Sequence, residues 1–147
     1  MPSRVLGPGD AGTMRDVLAV FADAFEDPDH YLSNPPSDEY LERLLADEGF
    51  VAIAAFEGSA VVGALAGYEL RKFEQQRSEF YIYDLAVLDA HRRRGHATAM
   101  IDALRALARQ RGIGVIYVQA DYGDEPAVAL YTKLGVREDV MHFDIEP

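Results

Sequence analysis

The sequence Arg92-Arg93-Arg94-Gly95-His96-Ala97 stands between a hydrophobic run, Phe80 to Val87, and a segment with helical periodicity. A strand, a glycine-containing turn and a helix N-terminus together form an anion site, because unpaired backbone N–H groups and the helix dipole favour negative charge. Gly95 lets the backbone approach a phosphate closely, and the arginines can pair with its oxygens in bidentate fashion. In a chain of net charge −11, this positive cluster predicts a phosphate-bearing ligand. Taken alone, the six residues also fit a basic loop before an ordinary helix.

Length and composition predict one globular domain over residues 1–147. The chain is long enough to bury a core, and 49% of its residues are hydrophobic. It has no cysteine, which excludes disulfides, thiolate metal ligands and cysteine nucleophiles. No apolar run approaches the roughly 20 residues that cross a bilayer, and residues 1–12 lack a signal-peptide pattern. We therefore expect a cytoplasmic protein.

The charge balance restricts the ligands that we expect. A pI near 4.6 argues against nucleic-acid binding, which needs a basic face. An acidic protein can attract a cationic substrate by electrostatic steering, although solubility alone would also explain the charge. The four histidines show no metal-ligand spacing, so no metal is predicted.

The order of hydrophobic patterns predicts a mixed α/β sheet domain. The run Phe80 to Val87 is nearly all apolar, which predicts a strand buried on both faces. The remaining predicted elements are a short strand Arg4 to Leu6, a helix capped by Asp10 and running to about Phe25, a loop Glu26 to Pro36, a helix capped by Ser37, a hairpin of Phe50 to Phe56 and Ala60 to Tyr68, a helix after Gly95, a strand Val115 to Ala120, a helix Pro126 to Leu134, and a last strand or strand pair over Val136 to Ile145.

Two residues are candidates for proton transfer. Asp84 is the only charged residue in the run Phe80 to Val87, and burial should raise its pKa towards the range of a general base. A structural aspartate that ties down a neighbouring loop is the alternative. Tyr131 lies in a helical apolar stripe, which is typical of a packing aromatic, but a phenol can also donate a proton to a leaving group.

Two acidic segments could form a pocket for a polycation. One follows a strand at the end where open α/β sheets bind ligands, and the other lies in the first long loop. Isolated loops of solvated charge are the commoner case. The candidate substrate-binding residues are Glu26, Asp27, Tyr83, Asp121, Tyr122, Asp124 and Glu125.

Several long stretches resemble the GNAT superfamily of acyl-CoA N-acyltransferases, over essentially the whole chain. The closest likeness is to the aminoglycoside 3-N-acetyltransferases of type I. The residues that carry it are Tyr81-Ile82-Tyr83-Asp84-Leu85-Ala86-Val87, Ile116-Tyr117-Val118-Gln119-Ala120-Asp121-Tyr122-Gly123-Asp124, Ala127-Val128-Ala129-Leu130-Tyr131-Thr132-Lys133-Leu134-Gly135 and Met141-His142-Phe143-Asp144. Two departures from the superfamily pattern are Asp124, where many members have Asn, and Val136, where Phe is usual.

The resemblance implies the fold, the cofactor and the reaction. It implies a splayed mixed sheet flanked by about four helices, acetyl-CoA as cofactor, and acetylation of the 3-amino group of gentamicin-type aminoglycosides, which confers antibiotic resistance. Tyr131 matches the family tyrosine that protonates the departing thiolate. For the base, our own candidate is Asp84, directly or through a water, with carboxylates near Asp121 and Asp124 as competitors. The residues that the resemblance implies for the cofactor are Leu85, Ala86 and Val87 along the pantetheine arm, and Arg92, Arg93, Arg94, Gly95, His96, Ala97 and Thr98 at the pyrophosphate.

Other functions remain open at this point. One is a GNAT enzyme for another amine, such as a polyamine or a protein N-terminus. Another is a non-catalytic acyl-CoA-binding domain, and a third is a purely structural interaction domain. The oligomeric state is also open, although homodimers are common in this superfamily.

Overall fold

The computed structural model describes residues 3–147 of the chain. Within that range, no helix is both long enough and apolar enough to span a membrane. The strands are β1 (Ser3–Val5), β2 (Phe50–Glu57), β3 (Ala60–Arg71), β4 (Ser78–Val87) and β5 (Val115–Val118). The α-helices are α1 (Ala11–Ala24), α2 (Pro28–Leu32), α3 (Asp38–Ala46), α4 (His96–Arg111) and α5 (Glu125–Leu134), and Asp89–His91 form one 3₁₀ turn.

The strands form one mixed sheet in the order β1-β2-β3-β4-β5. The first four strands pair antiparallel, and β5 pairs parallel to β4. One face of the sheet packs on α1 and α3 through a core that includes Val17, Phe21 and Leu41. The other face packs on α4 through Met100 and Leu104, with α5 alongside. The predicted mixed α/β sheet domain is therefore confirmed, and residues 3–147 contain five α-helices where about four were expected.

Local sequence explains most of these elements. Ser37 caps α3 as predicted, since its hydroxyl accepts the Tyr40 N–H at 3.1 Å. The β2–β3 hairpin turns at Gly58, whose φ of +62° suits a tight turn. Asp10 precedes α1 as predicted, but its carboxylate binds Arg4 and the Gly7 N–H instead of capping the helix.

The predicted loop Glu26 to Pro36 is wrong in part, because it contains α2. Asp27 caps this short helix by accepting the His30 N–H, and Pro28 occupies its first turn. Proline is favoured there because its missing N–H would have no partner in any case. The Asp-Pro pair was a helix-start signal that the prolines further along the loop concealed.

The prediction that the strand over Phe80 to Val87 is buried on both faces is also wrong. Phe80 and Ile82 are buried, but Tyr83 is 63% exposed and Tyr81 is half-buried. On this aromatic face Tyr81 stacks against Tyr117, with 4.8 Å between the ring centroids. The apolar run therefore has one packed face and one aromatic face that opens to solvent.

The predicted last strand over Val136 to Ile145 does not form. Residues 136–147 carry no regular secondary structure, and the apolar side chains of this segment are exposed. In the described part of the chain, the only strand that pairs with β5 is β4. The alternating pattern that predicted a strand is present, but within residues 3–147 no strand pairs with this segment.

Candidate active site

A β-bulge in β4 determines where Asp84 points. Ala66 of β3 pairs with Asp84 and Gly67 pairs with Ile82, so Tyr83 is the extra residue. Before the bulge, Phe80 and Ile82 face the core under α4; after it, Ala86 faces the core under α1. Strand alternation would otherwise keep all even-numbered residues on one face. The bulge therefore turns Asp84 towards α1 and α2.

Asp84 meets Tyr31 of α2 on that face. The Tyr31 hydroxyl donates a hydrogen bond to Asp84 Oδ2 at 3.0 Å. Burial raises the pKa of Asp84, in the predicted direction, while the bond from Tyr31 and the nearby His30 act against it. A carboxylate whose pKa is raised in this way is a stronger base than a free aspartate.

The sheet splays next to Asp84. Pairing of β4 with β5 runs from Glu79 with Val115 to Ile82 with Val118, and it ends there. Within residues 3–147, the stretch of β4 beyond Ile82 has no strand partner on the β5 side, although β3 still pairs with its other edge. Leu85, Ala86 and Val87 thus border a gap between the two strands. Such a gap can hold an extended ligand beside a strand edge.

The basic turn lies after the end of β4 and begins α4. Gly95, at φ +83°, is the N-cap residue, and no side chain caps the helix. In the described chain, none of the backbone N–H groups from Arg93 to Thr98 donates a turn, loop or cap hydrogen bond to a backbone carbonyl. Arg93 holds a left-handed φ of +62°, a conformation that a non-glycine residue adopts at a cost of about 1 kcal/mol or more. This row of free N–H groups is what an anion requires.

Two of the three arginines already bind carboxylate or carbonyl groups of the chain. The sequence did not predict these contacts. Arg92 binds the Asp89 carboxylate at 2.9 Å and the Val87 carbonyl at 3.2 Å. Arg94 donates to Glu57 Oε1 at 2.7 Å. The backbone of the turn and Arg93 are therefore better placed than Arg92 or Arg94 to meet a phosphate.

Glu57, at the end of β2, holds the turn in place. Its Oε2 lies 2.7 Å from Nε2 of the buried His96, and its Oε1 lies 3.0 Å from His91 Nδ1. These contacts, led by His96, hold the pKa of Glu57 below its usual range. Glu57 precedes Arg94 by 37 positions and His96 by 39, so no local sequence pattern connects them.

Tyr131 lies on α5 and packs half-buried against the core under α4. Burial and the Asp124 carboxylate raise the pKa of Tyr131 to about 12, so its hydroxyl stays protonated at neutral pH. Asp84 and Tyr131 therefore lie on opposite faces of the sheet. The gap between β4 and β5 connects those faces.

The acidic candidates divide into two groups. Asp27 lies near Tyr31, where its charge helps to raise the pKa of that phenol, so it belongs to the Asp84 side. Asp124 caps α5 by accepting the Ala127 N–H at 3.3 Å. Tyr122 is 79% exposed and packs under the Arg137 guanidinium. The remaining candidates, Glu26, Asp121 and Glu125, are exposed, and no contact joins Asp121 or Glu125 to Asp84.

The structure thus combines a mixed sheet that splays beside a carboxylate with a basic turn at the N-terminus of α4. The family model described as the acetyltransferase (GNAT) family matches residues 15–136. The chain belongs to the GNAT acetyltransferase family, which implies an acyl-CoA donor.

Several solved acetyltransferase structures are similar to this chain over nearly its whole length. The chain is 54% identical to an aminoglycoside acetyltransferase from an uncultured soil metagenomic sample, with 99% of this chain and 97% of that one covered and a TM-score of 0.97. A second aminoglycoside acetyltransferase from such a sample, crystallised with sisomicin, is 26% identical, with 99% and 95% covered and a TM-score of 0.90. A ribosomal-protein-alanine N-acetyltransferase from Brucella melitensis biovar Abortus 2308 is also 26% identical, with 98% and 96% covered and a TM-score of 0.74. A search of curated protein sequences found no match.

Proposed function

We propose that this chain is a single-domain aminoglycoside 3-N-acetyltransferase that uses acetyl-CoA. One observation supports this reaction: Asp84 and Tyr131 lie on opposite faces of the sheet, beside the gap between β4 and β5. A donor that enters from the helix α4 side and an acceptor that enters from the α2 side would meet in that gap. This arrangement supports direct transfer in a ternary complex.

The residues of the turn and the gap fit an acyl-CoA. The free backbone N–H groups between Arg93 and Thr98, with the exposed Arg93 side chain, would hold the pyrophosphate. The unpaired edge of β4 at Leu85, Ala86 and Val87 would hold the pantetheine arm by strand-like hydrogen bonds. Bound acetyl-CoA supplies a thioester, whose acetyl group an uncharged amine can take.

Asp84 and Tyr131 would then move the two protons of the reaction. An ammonium has no lone pair, so Asp84 must first take a proton from the acceptor, directly or through a water. A backbone N–H of the β4 edge would stabilise the negative charge that develops on the carbonyl oxygen, a contribution of about 3–4 kcal/mol in other enzymes. Tyr131 would donate its proton to the departing sulfur.

The acceptor assignment rests on charge and on the relatives. Two similar structures are aminoglycoside acetyltransferases, one of them bound to sisomicin. Aminoglycosides carry several ammonium groups, which suit a chain with 25 acidic and 14 basic residues. Asp27 lies on the Asp84 side of the sheet, where we also place Glu26 and Tyr83. We assign Asp121, Tyr122, Asp124 and Glu125, at and before the start of α5, to the Tyr131 side of the gap. The 3-amino position follows from the resemblance of the segments around Asp84 and Tyr131.

The direct test is acetyl-CoA turnover with gentamicin, followed by NMR to locate the acetyl group. We expect thiol release and a 3-N-acetyl product. Tyr131→Phe should lower kcat about a hundredfold with little change in KM, and Asp84→Asn should lower kcat/KM by a similar factor. Acetylation at another amine would refute the 3-N assignment. Coenzyme A binding without turnover of any amine would indicate a non-catalytic domain.

A second candidate acceptor is the N-terminal amine of a protein. The 26% identity to the ribosomal-protein-alanine N-acetyltransferase favours it. A peptide that begins with alanine, assayed beside gentamicin and spermidine, separates the possibilities. The aminoglycoside proposal requires that gentamicin has the highest kcat/KM of the three.

A further inference from the structure

Tyr31, on the short helix α2, contacts Asp84, although the sequence did not single it out. Asp27 caps α2 by accepting the His30 N–H, and the helix packs on α1. The half-buried Tyr31 ring adds to the core on that face of the sheet. Its hydroxyl donates to Asp84 Oδ2 at 3.0 Å, so one hydrogen bond joins α2 to the bulge in β4.

Three aromatic neighbours fix the Tyr31 ring. Its centroid lies 5.8 Å from that of Phe21 and 5.9 Å from that of Phe25, and His30 meets it edge-on at 4.8 Å. Phe21 and Phe25 in turn stack on each other at 5.7 Å, and Phe21 is buried. Such contacts favour particular ring orientations, which restricts the rotation of each ring. Packing therefore holds the Tyr31 hydroxyl where it reaches Asp84, independently of the hydrogen bond.

The two oxygens of the Asp84 carboxylate have different surroundings. Oδ2 accepts the Tyr31 hydroxyl, and within residues 3–147 no other group donates a hydrogen bond to this carboxylate. Oδ1 has no partner in that range, but it is not one of the buried polar atoms that lack one, so solvent reaches it. A ligand can therefore approach Oδ1 without breaking the bond between Oδ2 and Tyr31.

The hydrogen bond also affects which form of the carboxyl group is stable. Burial and the negative charge of Asp84 raise the pKa of Tyr31 well above its usual value, so the phenol remains a neutral donor. Burial raises the pKa of Asp84 as well, while the bond from Tyr31 and the nearby His30 act against it. The bond thus stabilises the ionised carboxylate, which is the form that can accept a proton.

Other titratable groups face this pair from three elements, but none of them makes a hydrogen bond to Asp84. They are Asp27 and His30 from the α2 side, Tyr81 and Tyr83 from β4, and Tyr68 from β3.

We infer that Tyr31 is a positioning residue, whose hydroxyl holds Asp84 Oδ2 so that Oδ1 is left for the acceptor ammonium. The inference rests on the proposed role of Asp84 as the base. In that step an N–H bond of the ammonium breaks, an O–H bond forms at Oδ1, and the amine keeps the electron pair with which it attacks the thioester. Tyr31 keeps its own proton throughout.

Tyr31→Phe removes the donor and keeps the ring. Without that bond the ionised carboxylate is less stable, so the Asp84 pKa should rise, and the acid limb of kcat/KM should move to higher pH. At a pH on that limb, kcat/KM should fall about fivefold. The KM for acetyl-CoA should not change, and circular dichroism should show that the variant is folded.

Tyr40→Phe is the matched control, because Tyr40 lies on α3 and is 60% exposed. It removes a phenol hydroxyl that does not contact Asp84, so the acid limb should stay where it is. The control shows whether the loss of a tyrosine hydroxyl elsewhere on this side of the protein moves the pH profile.

The Asp84 carboxyl pKa, measured by carbon-13 NMR, gives a readout that needs no activity. It should rise in Tyr31→Phe and stay constant in Tyr40→Phe. An unchanged pKa in Tyr31→Phe would refute the positioning role, as would an equal loss of kcat/KM at every pH, which would mean that the tyrosine acts through packing alone. Full activity in Asp84→Asn would instead refute the base assignment of the proposed function, so the two failures are distinguishable.

Discussion

At the scale of single residues, Glu57 holds the basic turn that we propose as the pyrophosphate site. Its carboxylate contacts Arg94 and His96 at 2.7 Å each, which ties the first residues of α4 to the end of β2. Glu57→Gln keeps the shape but removes the charge. We expect the KM for acetyl-CoA to rise about tenfold, because hydrogen bonds to charged groups are about twice as strong as neutral ones. The KM for the amine should not change.

Steady-state kinetics with each substrate varied in turn checks this prediction. Glu39→Gln on α3 is a suitable control, because its contact with Arg43 is long, at 4.0 Å, and both groups are solvent-exposed. Equal effects on the two KM values would mean that Glu57 supports general stability and not the turn.

The sequence predicted Asp84 but not Tyr31 or Glu57, and the reason is physical. A charge within an apolar run is conspicuous, because burial of an unpaired carboxylate is costly. Tyr31 is one aromatic residue in a polar stretch, and its bond to Asp84 joins residues 53 positions apart. Such a contact depends on the bulge and on α2, neither of which has a periodic signal.

At the scale of elements, the bulge in β4 requires a glycine on the facing strand. A Cβ at position 67 would lie 2.2 Å from the Tyr81 carbonyl oxygen and 2.6 Å from the Phe80 ring. A backbone oxygen between two paired strands cannot move aside cheaply. Gly67→Ala should therefore lower the free energy of unfolding by about 3 kcal/mol or more, the upper part of the range for overpacked cores.

Urea unfolding measures this change, and Gly12→Ala on α1 is the matched substitution. A Cβ at position 12 meets nothing within 4 Å, and alanine in a helix is favoured over glycine by about 0.5–1 kcal/mol. The two variants should thus shift the midpoint in opposite directions. A loss below about 1 kcal/mol in Gly67→Ala would mean that the strands separate easily at the bulge.

The sequence predicted within a few residues the elements that have their own hydrophobic periodicity. These are α1, α3, α4, α5 and the β2–β3 hairpin. The errors fall on elements that depend on context. The prolines in Glu26 to Pro36 concealed α2, and the segment predicted as a strand over Val136 to Ile145 pairs with no strand within residues 3–147. The β-propensity of a residue measures how well its side chain fits a half-buried pleated surface. It therefore predicts a strand correctly only where a partner strand is present.

At the scale of the whole molecule, the net charge of −11 should govern how a polycation reaches the site. Charges that are spread over a surface act over about 30 Å at 10 mM salt, but over only about 8 Å at physiological salt. The kcat/KM for gentamicin should therefore fall about tenfold between about 10 mM and 200 mM salt, with kcat at saturation unchanged. A monocationic amine such as glucosamine should lose much less, because the attraction scales with the charge of the substrate. Equal losses for the two amines would show that salt acts on the protein fold or on acetyl-CoA binding, and the acidic surface would then serve solubility alone.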